Sequence, residues 1–224
     1  MDMIPDEDKE FLRNRFSQEL ENPVMIIAYT KKVEGLEQPG LECEFCRETE
    51  QLLNELAQLS DKIEIEPRQY SPGDQLVQDL QIDKIPAIIV QTDDTKGVRY
   101  FGIPGGFEFS SLIEDVIDVS RNATDLSPKV KDRIKEIDQD VHIQVFVTPT
   151  CPFCPSAVRV AHKMAIENPV YIKSDAIEAA EFPHLVSRYD IAAVPTVIIN
   201  EKVQFQGALA EEAFAEQVDS ALAA

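Results

Sequence analysis

Tryptophan is absent from this 224-residue chain, glycine contributes only 8 residues, and 21 basic side chains face 41 acidic ones. The resulting formal charge of −20 at pH 7 argues against nucleic acid or an anionic membrane as partner, since both are polyanions. No uninterrupted apolar run reaches the ~18–20 residues that span a bilayer. The start, Met1-Asp2-Met3-Ile4-Pro5-Asp6-Glu7-Asp8, lacks the basic and apolar stretches of a secretory signal, so the chain reads as cytoplasmic. Cysteine is scarce as well, with 4 residues. In a reducing compartment such cysteines serve catalysis or metal binding rather than static crosslinking.

All four cysteines fall in two Cys-x-x-Cys pairs, Cys43-Glu44-Phe45-Cys46 and Cys151-Pro152-Phe153-Cys154. Each is followed by an apolar-Pro-apolar step at the head of an apolar run. Pro86 lies 43 residues after Cys43, and Pro195 lies 44 after Cys151. Matched spacings of this kind indicate a duplicated unit. The 108-residue offset between the pairs divides the chain into a first unit over 1–120, a linker over 121–127 and a second unit over 128–224. Units of this size bury a core without disulfide staples. A shared tetrathiolate zinc site is disfavoured, because paired zinc motifs usually stand ~15–20 residues apart and Cys46 precedes Cys151 by 105 positions.

Apolar periodicity places helices at Pro5–Leu20, from the first cysteine pair through Leu59, at Asp74–Leu80 and at Phe109–Val119. Strands are expected at Val24–Tyr29, Lys62–Glu66, Pro86–Gln91 and Val98–Phe101, with a loop over 31–41. Ser127-Pro128 then starts a helix, with Ser as cap and Pro in the first turn. The same order follows: strand Val141–Val147, helix from the second pair to Ile166, strand Val170–Lys173, helix Pro183–Tyr189, strands Pro195–Asn200 and Val203–Phe205, and helix Glu211–Leu222. Each half reads α-β-α-β-α-β-β-α.

In a strand–loop–helix setting the first cysteine of each pair meets the free N–H groups and dipole of a helix start. Its pKa then falls from ~8.5 toward roughly 3.5–7.5. Cys43 and Cys151 are therefore the expected nucleophiles, with Cys46 and Cys154 as resolving thiols. Glu44, among Glu42, Glu48 and Glu50, disfavours a thiolate at Cys43, so Cys43 is expected to have the higher pKa and its pair to be the more reducing. Ile85-Pro86 and Val194-Pro195 start strands, where Ile85 and Val194 are candidates to present backbone groups to an extended substrate peptide.

The stretches Val145-Phe146-Val147-Thr148-Pro149-Thr150-Cys151-Pro152-Phe153-Cys154, Ala193-Val194-Pro195-Thr196, Lys84-Ile85-Pro86-Ala87 and Phe101-Gly102-Ile103-Pro104-Gly105-Gly106 resemble the thioredoxin/glutaredoxin superfamily. Over its whole length the chain looks most like the two-unit, glutaredoxin-like protein disulfide oxidoreductases. The resemblance implies an α/β protein of two tandem thioredoxin-like folds, each a central four-stranded mixed sheet flanked by helices. It also implies cis bonds at Pro86 and Pro195, and two redox-active pairs acting on protein disulfides by reduction, oxidation or isomerisation. Electrons would come from a thioredoxin-reductase-like flavoprotein, with redox-active disulfides and no further cofactor or metal. The pattern departs at Val145, where thioredoxins carry a buried acid, and at Gly207-Ala208-Leu209, which lacks the glutathione clamp.

Two other readings compete. One is an electron carrier from such a flavoprotein to a peroxiredoxin, as in the N-terminal part of alkyl hydroperoxide reductase flavoproteins. The presence of both pairs, and a chain ending without room for a flavin domain, favour the broader oxidoreductase. The other is a non-enzymatic redox-sensing interaction module. His142, His162 and His184 share no ligand spacing and read as ordinary, partly exposed residues. The Gly102–Gly106 stretch reads as a turn, and the Glu42–Glu50 acids as a solvated face. No pattern sets an oligomeric state.

Overall fold

The computed structural model describes residues 2–31 and 43–224; the expected loop over 31–41 lies outside them beyond Lys31, as does Glu42. The first half comprises α1 (Asp6–Glu19), β1 (Val24–Thr30), α2 (Cys46–Ala57), β2 (Ile63–Gln69), α3 (Gln75–Asp79), β3 (Ala87–Gln91), β4 (Val98–Phe101) and α4 (Glu108–Arg121). The second repeats that order as α5 (Pro128–Lys135), β5 (Val141–Val147), α6 (Cys154–Glu167), β6 (Ile172–Glu178), α7 (Pro183–Arg188), β7 (Thr196–Ile199), β8 (Val203–Gln206) and α8 (Glu211–Ala223). β1, β3, β5 and β7 are almost wholly buried, as near-continuous apolar strands are when both faces of a sheet are covered. Apolar residues of α1, α2, α4, α5, α6 and α8 form one core on one face, while Val77 of α3 and Leu185 of α7 join a second core on the other.

The halves do not keep separate sheets. Their strands form a single eight-stranded sheet in the order β2-β1-β3-β4-β6-β5-β7-β8, joined where β4 and β6 pair in parallel from Val98↔Ser174 to Phe101↔Ile177. The strand expected at Val170–Lys173 therefore starts later and runs on to Glu178. Val170 is exposed, whereas the polar Ser174 and Asp175 are fully buried at this seam. β2 likewise continues past Glu66 through Pro67 to Gln69 and forms one outer edge.

Charged groups hold the seam on both faces of the sheet. On one, Arg99 of β4 grips Asp175 of β6 in a fork, Nε to Oδ1 at 2.6 Å and Nη2 to Oδ2 at 2.9 Å. Its Nη1 also donates to the Leu80 carbonyl at 2.7 Å, and His142 Nε2 lies 2.6 Å from Asp175 Oδ2. On the other face, Asp115 of α4 accepts the Tyr100 hydroxyl and pairs with Arg159 of α6. His162 Nδ1 lies 2.5 Å from Asp115 Oδ2. The expectation that His162 is partly exposed is wrong: it is wholly buried. Burial and the Arg159 guanidinium push its pKa down to about 3, so the ring is neutral and Nδ1–H donates to Asp115.

One further expectation needs correction. Ser127 stands at the N-cap of α5, with Pro128 in the first turn, but its hydroxyl caps nothing. Its amide instead donates to Glu211 Oε1 at 3.0 Å. The Gly102–Gly106 stretch leads into α4 through the expected turn, and it also serves the joint between the halves. Gly106 has φ +58°, and a Cβ there would collide with the Pro149 carbonyl, so only glycine lets the halves approach so closely.

Arg99→Met leaves Asp175 buried without its main counter-charge and should lower stability by about 3–5 kcal/mol. Arg99→Met/Asp175→Leu should recover most of that loss, as read by urea unfolding followed by circular dichroism. Equal loss in the single and double variants would refute a charge-pairing role.

Candidate functional site

Both cysteine pairs are disulfides with Cα–Cα separations of 5.5 Å. Each sits between a central strand and a helix, and each helix begins at the second cysteine, Cys46 or Cys154. The first cysteine thus stands in the turn before the helix rather than in its first turn. Pro152 lies in that turn as well, and the first-turn proline of α6 is Pro155. In each pair the first cysteine is the more accessible. Cys43 is half-buried and Cys46 is 4% exposed, while Cys151 is 8% exposed and Cys154 fully buried.

Ile85-Pro86 and Val194-Pro195 are both cis. At the second pair, Cys151 Sγ lies 3.7 Å from the Val194 carbonyl oxygen, and the Cys154 amide donates to Cys151 Sγ at 3.1 Å. That N–H belongs to the first residue of α6, so the helix start is aimed at the sulfur that would carry negative charge. At the first pair, Ile85 packs in the same apolar core as Cys46, and the Lys31 amide donates to Cys46 Sγ at 3.3 Å. At the second pair Cys151 and Cys154 thus stand beside Val194, which precedes cis Pro195, and at the first pair Ile85, which precedes cis Pro86, belongs to the core that holds Cys46. The two settings differ in access: Ile85 is buried, whereas Val194 is half-buried beside exposed Ala192 and Ala193.

β1, β4, β6 and β5 all run in the same sense across the sheet. Both pairs consequently lie along one edge, four strand spacings apart, which is roughly 19 Å. The seam ends on that edge too, and it brings in carboxylates that sequence patterning did not single out. Glu108, at the start of α4, is 2% exposed, and neither carboxylate oxygen has a hydrogen-bond partner among the described residues. The residue before it, Phe107, donates its amide to the Pro149 carbonyl at 3.0 Å, two positions ahead of Cys151. Burial raises the Glu108 pKa to about 7, with the Ser111 hydroxyl alongside opposing weakly. Acids in the first turn of a helix are common for dipole reasons, so no sequence signal marked this one. Among the described residues, no three or more His, Cys, Asp or Glu stand together as a metal site. No helix among them is long and apolar enough to cross a membrane.

Residues 141–220 match the thioredoxin domain family. Thioredoxin of Methanocaldococcus jannaschii is 40% identical over 82 residues, 37% of this chain and 96% of that protein. NADH dehydrogenase of Bacillus subtilis is 31% identical over 150 residues, 66% of this chain. An alkyl hydroperoxide reductase component of Escherichia coli K12 is 26% identical over 173 residues, 77% of this chain. The chain spans only 27% and 31% of the length of these last two relatives. Among solved structures, the protein disulfide oxidoreductase of Aeropyrum pernix K1 superposes with a TM-score of 0.86 at 28% identity, over 99% of this chain and 94% of its own. Two tandem thioredoxin-like units, each with its own Cys-x-x-Cys disulfide, account for the whole architecture, and the chain belongs to the thioredoxin superfamily of thiol–disulfide oxidoreductases.

Proposed function

We propose that the protein exchanges disulfides with protein substrates through two units, 1–120 and 128–224, joined by 121–127. Cys151 and Cys43 are the attacking thiolates, and Cys154 and Cys46 resolve the mixed disulfides. One observation carries this reading: the Cys154 N–H points at Cys151 Sγ while the Val194 carbonyl lies opposite. The first contact favours a thiolate, and the second sets backbone beside the sulfur where an extended peptide pairs in strand fashion. Two electrons move with each dithiol–disulfide cycle, so the sulfur pairs themselves need neither metal nor organic cofactor. A cytoplasmic setting and a flavoprotein as electron donor fit this chemistry.

Electron transfer onward to a peroxiredoxin is a second reading. It rests on the relatives named NADH dehydrogenase and alkyl hydroperoxide reductase, to which the chain corresponds over about a third of their length or less. Both readings share the same thiol chemistry at Cys151.

In dithiothreitol-driven insulin reduction, Cys151→Ser should lower turnover by about tenfold or more, with Cys43→Ser the milder lesion. Wild-type turnover in a Cys43→Ser/Cys151→Ser double variant would refute the proposal. Glu108 gives a separate prediction for stability, because burial raises its pKa to about 7. With its folded pKa above the unfolded one, Glu108 costs stability increasingly as pH rises from about 4.5 to 7. Glu108→Gln should therefore gain on the parent by up to ~3 kcal/mol at pH 8 and show little difference at pH 4 in urea unfolding.

A further inference from the structure

Phe11 of α1 is 63% exposed, and Phe107, just before α4, is 50% exposed. Single apolar side chains at a surface are ordinary, but these two share a concavity, which marks a surface for covering. They line a groove of about 330 Å³ between α1 and α4, together with the buried Leu12 and Ile113.

The groove begins beside the second cysteine pair. The Phe107 amide donates to the Pro149 carbonyl at 3.0 Å, and Pro149 stands two residues before Cys151. β4, which leads to Phe107, is two places from β5, which leads to Cys151; this separates them by roughly 10 Å. About three to four residues of extended chain cover that distance. Phe153, inside the pair, offers a second apolar surface and is strongly exposed. The second pair also has the open proline loop. The Gly207 amide donates to the Pro195 carbonyl at 2.8 Å, and a Cβ at Gly207 would meet nothing within 4 Å. At the first pair, a Cβ on Gly102 would lie 2.6 Å from Glu178 Cβ and 2.7 Å from Glu181 Oε1.

The charged side chains of the groove are Asp8, Arg15 and Glu114. Arg15 is already engaged, with Nη2 on Glu114 Oε2 at 2.8 Å and Nε on Glu19 Oε1 at 2.7 Å. The exposed Asp8 has no ion-pair partner among the described residues, and Asp6 and Glu7 precede it in the same turn. An apolar groove with an acidic rim complements an apolar side chain with a cation next to it.

We propose that the α1–α4 groove anchors the polypeptide substrates of the second pair. It takes an apolar side chain about three to four residues from the reactive disulfide, with a neighbouring lysine or arginine meeting Asp8. The first half thereby selects the proteins on which the sulfurs of the second half act. This inference rests on the reading that Cys151 exchanges disulfides with proteins, and it names the segment they present as extended, apolar and basic.

The test uses the full chain carrying Cys43→Ser/Cys46→Ser, reduced with dithiothreitol and then freed of it. Its oxidation by a cyclic disulfide peptide bearing leucine and lysine at that spacing is compared with oxidation by bis(2-hydroxyethyl) disulfide, which is too small to reach the groove. Phe107→Ser and Phe11→Ser should each raise the half-saturating peptide concentration and lower the ratio of the two rates about tenfold, as loss of an apolar anchor does. Asp8→Asn should lower that ratio about threefold, and only while the peptide carries its lysine. An unchanged ratio in all three variants, with circular dichroism unchanged, would overturn the groove and leave the thiol reading standing. A parent chain that neither disulfide oxidises would overturn both. Sedimentation that finds a dimeric parent and a monomeric Phe11→Ser variant would assign the groove to a second copy and overturn the proposal. Should Phe107→Ser not fold, Phe11→Ser still decides, because its side chain is the more exposed.

Discussion

The parallel pairing of β4 with β6 is the constraint on which the rest of the molecule depends. It makes one sheet out of two repeated units, and it forces both cysteine pairs onto the same edge. Residues such as Arg99 and Asp175, or Asp115 and Arg159, are fully or largely desolvated there. Buried ion pairs of this kind contribute little net stability over apolar packing, yet breaking one partner is costly. Their value here is in register, because a one-residue slip would turn Arg99 to the wrong face of the sheet.

Much of the architecture was legible because it repeats. The cysteine pairs, the prolines 43 and 44 residues on and the apolar runs between them lie within single units, where local pattern reports local structure. What was not legible lies between units. Arg99 and Asp175 stand 76 positions apart and meet only across the joint, where patterning, which assigns charged residues to solvent, cannot see a neighbouring sheet. Glu108 is an acid in a first helical turn, a common place for one, and Glu181 meets the Ile103 amide from 78 positions away. His162 looked ordinary because its partner, Asp115, is 47 positions away. At Ser127 the bond that forms is a distant one, from its own amide to the Glu211 carboxylate 84 positions on, which propensity does not anticipate.

The two sites are chemically unequal despite their shared plan. The second pair has a helix-start amide on its outer sulfur and an open proline loop. In the first pair the described amide contact is to the inner sulfur, Cys46, and the loop is covered by acids. Like charge disfavours a thiolate and an aimed N–H favours it, so the two sites offer different surroundings to their sulfurs along one edge.

The joint between the halves is translational, edge strand against edge strand, and such a joint does not close on itself. By the register of β1 with β2 and of β5 with β6, Pro67 occupies the place that Ala176 holds at the joint. A proline there has no amide hydrogen to offer, and Glu64, Glu66 and Arg68 surround it with charge on that outer strand. Both features are typical of strands that refuse company. An arrangement that could otherwise stack copy upon copy into a filament is stopped at one end by a single imino acid.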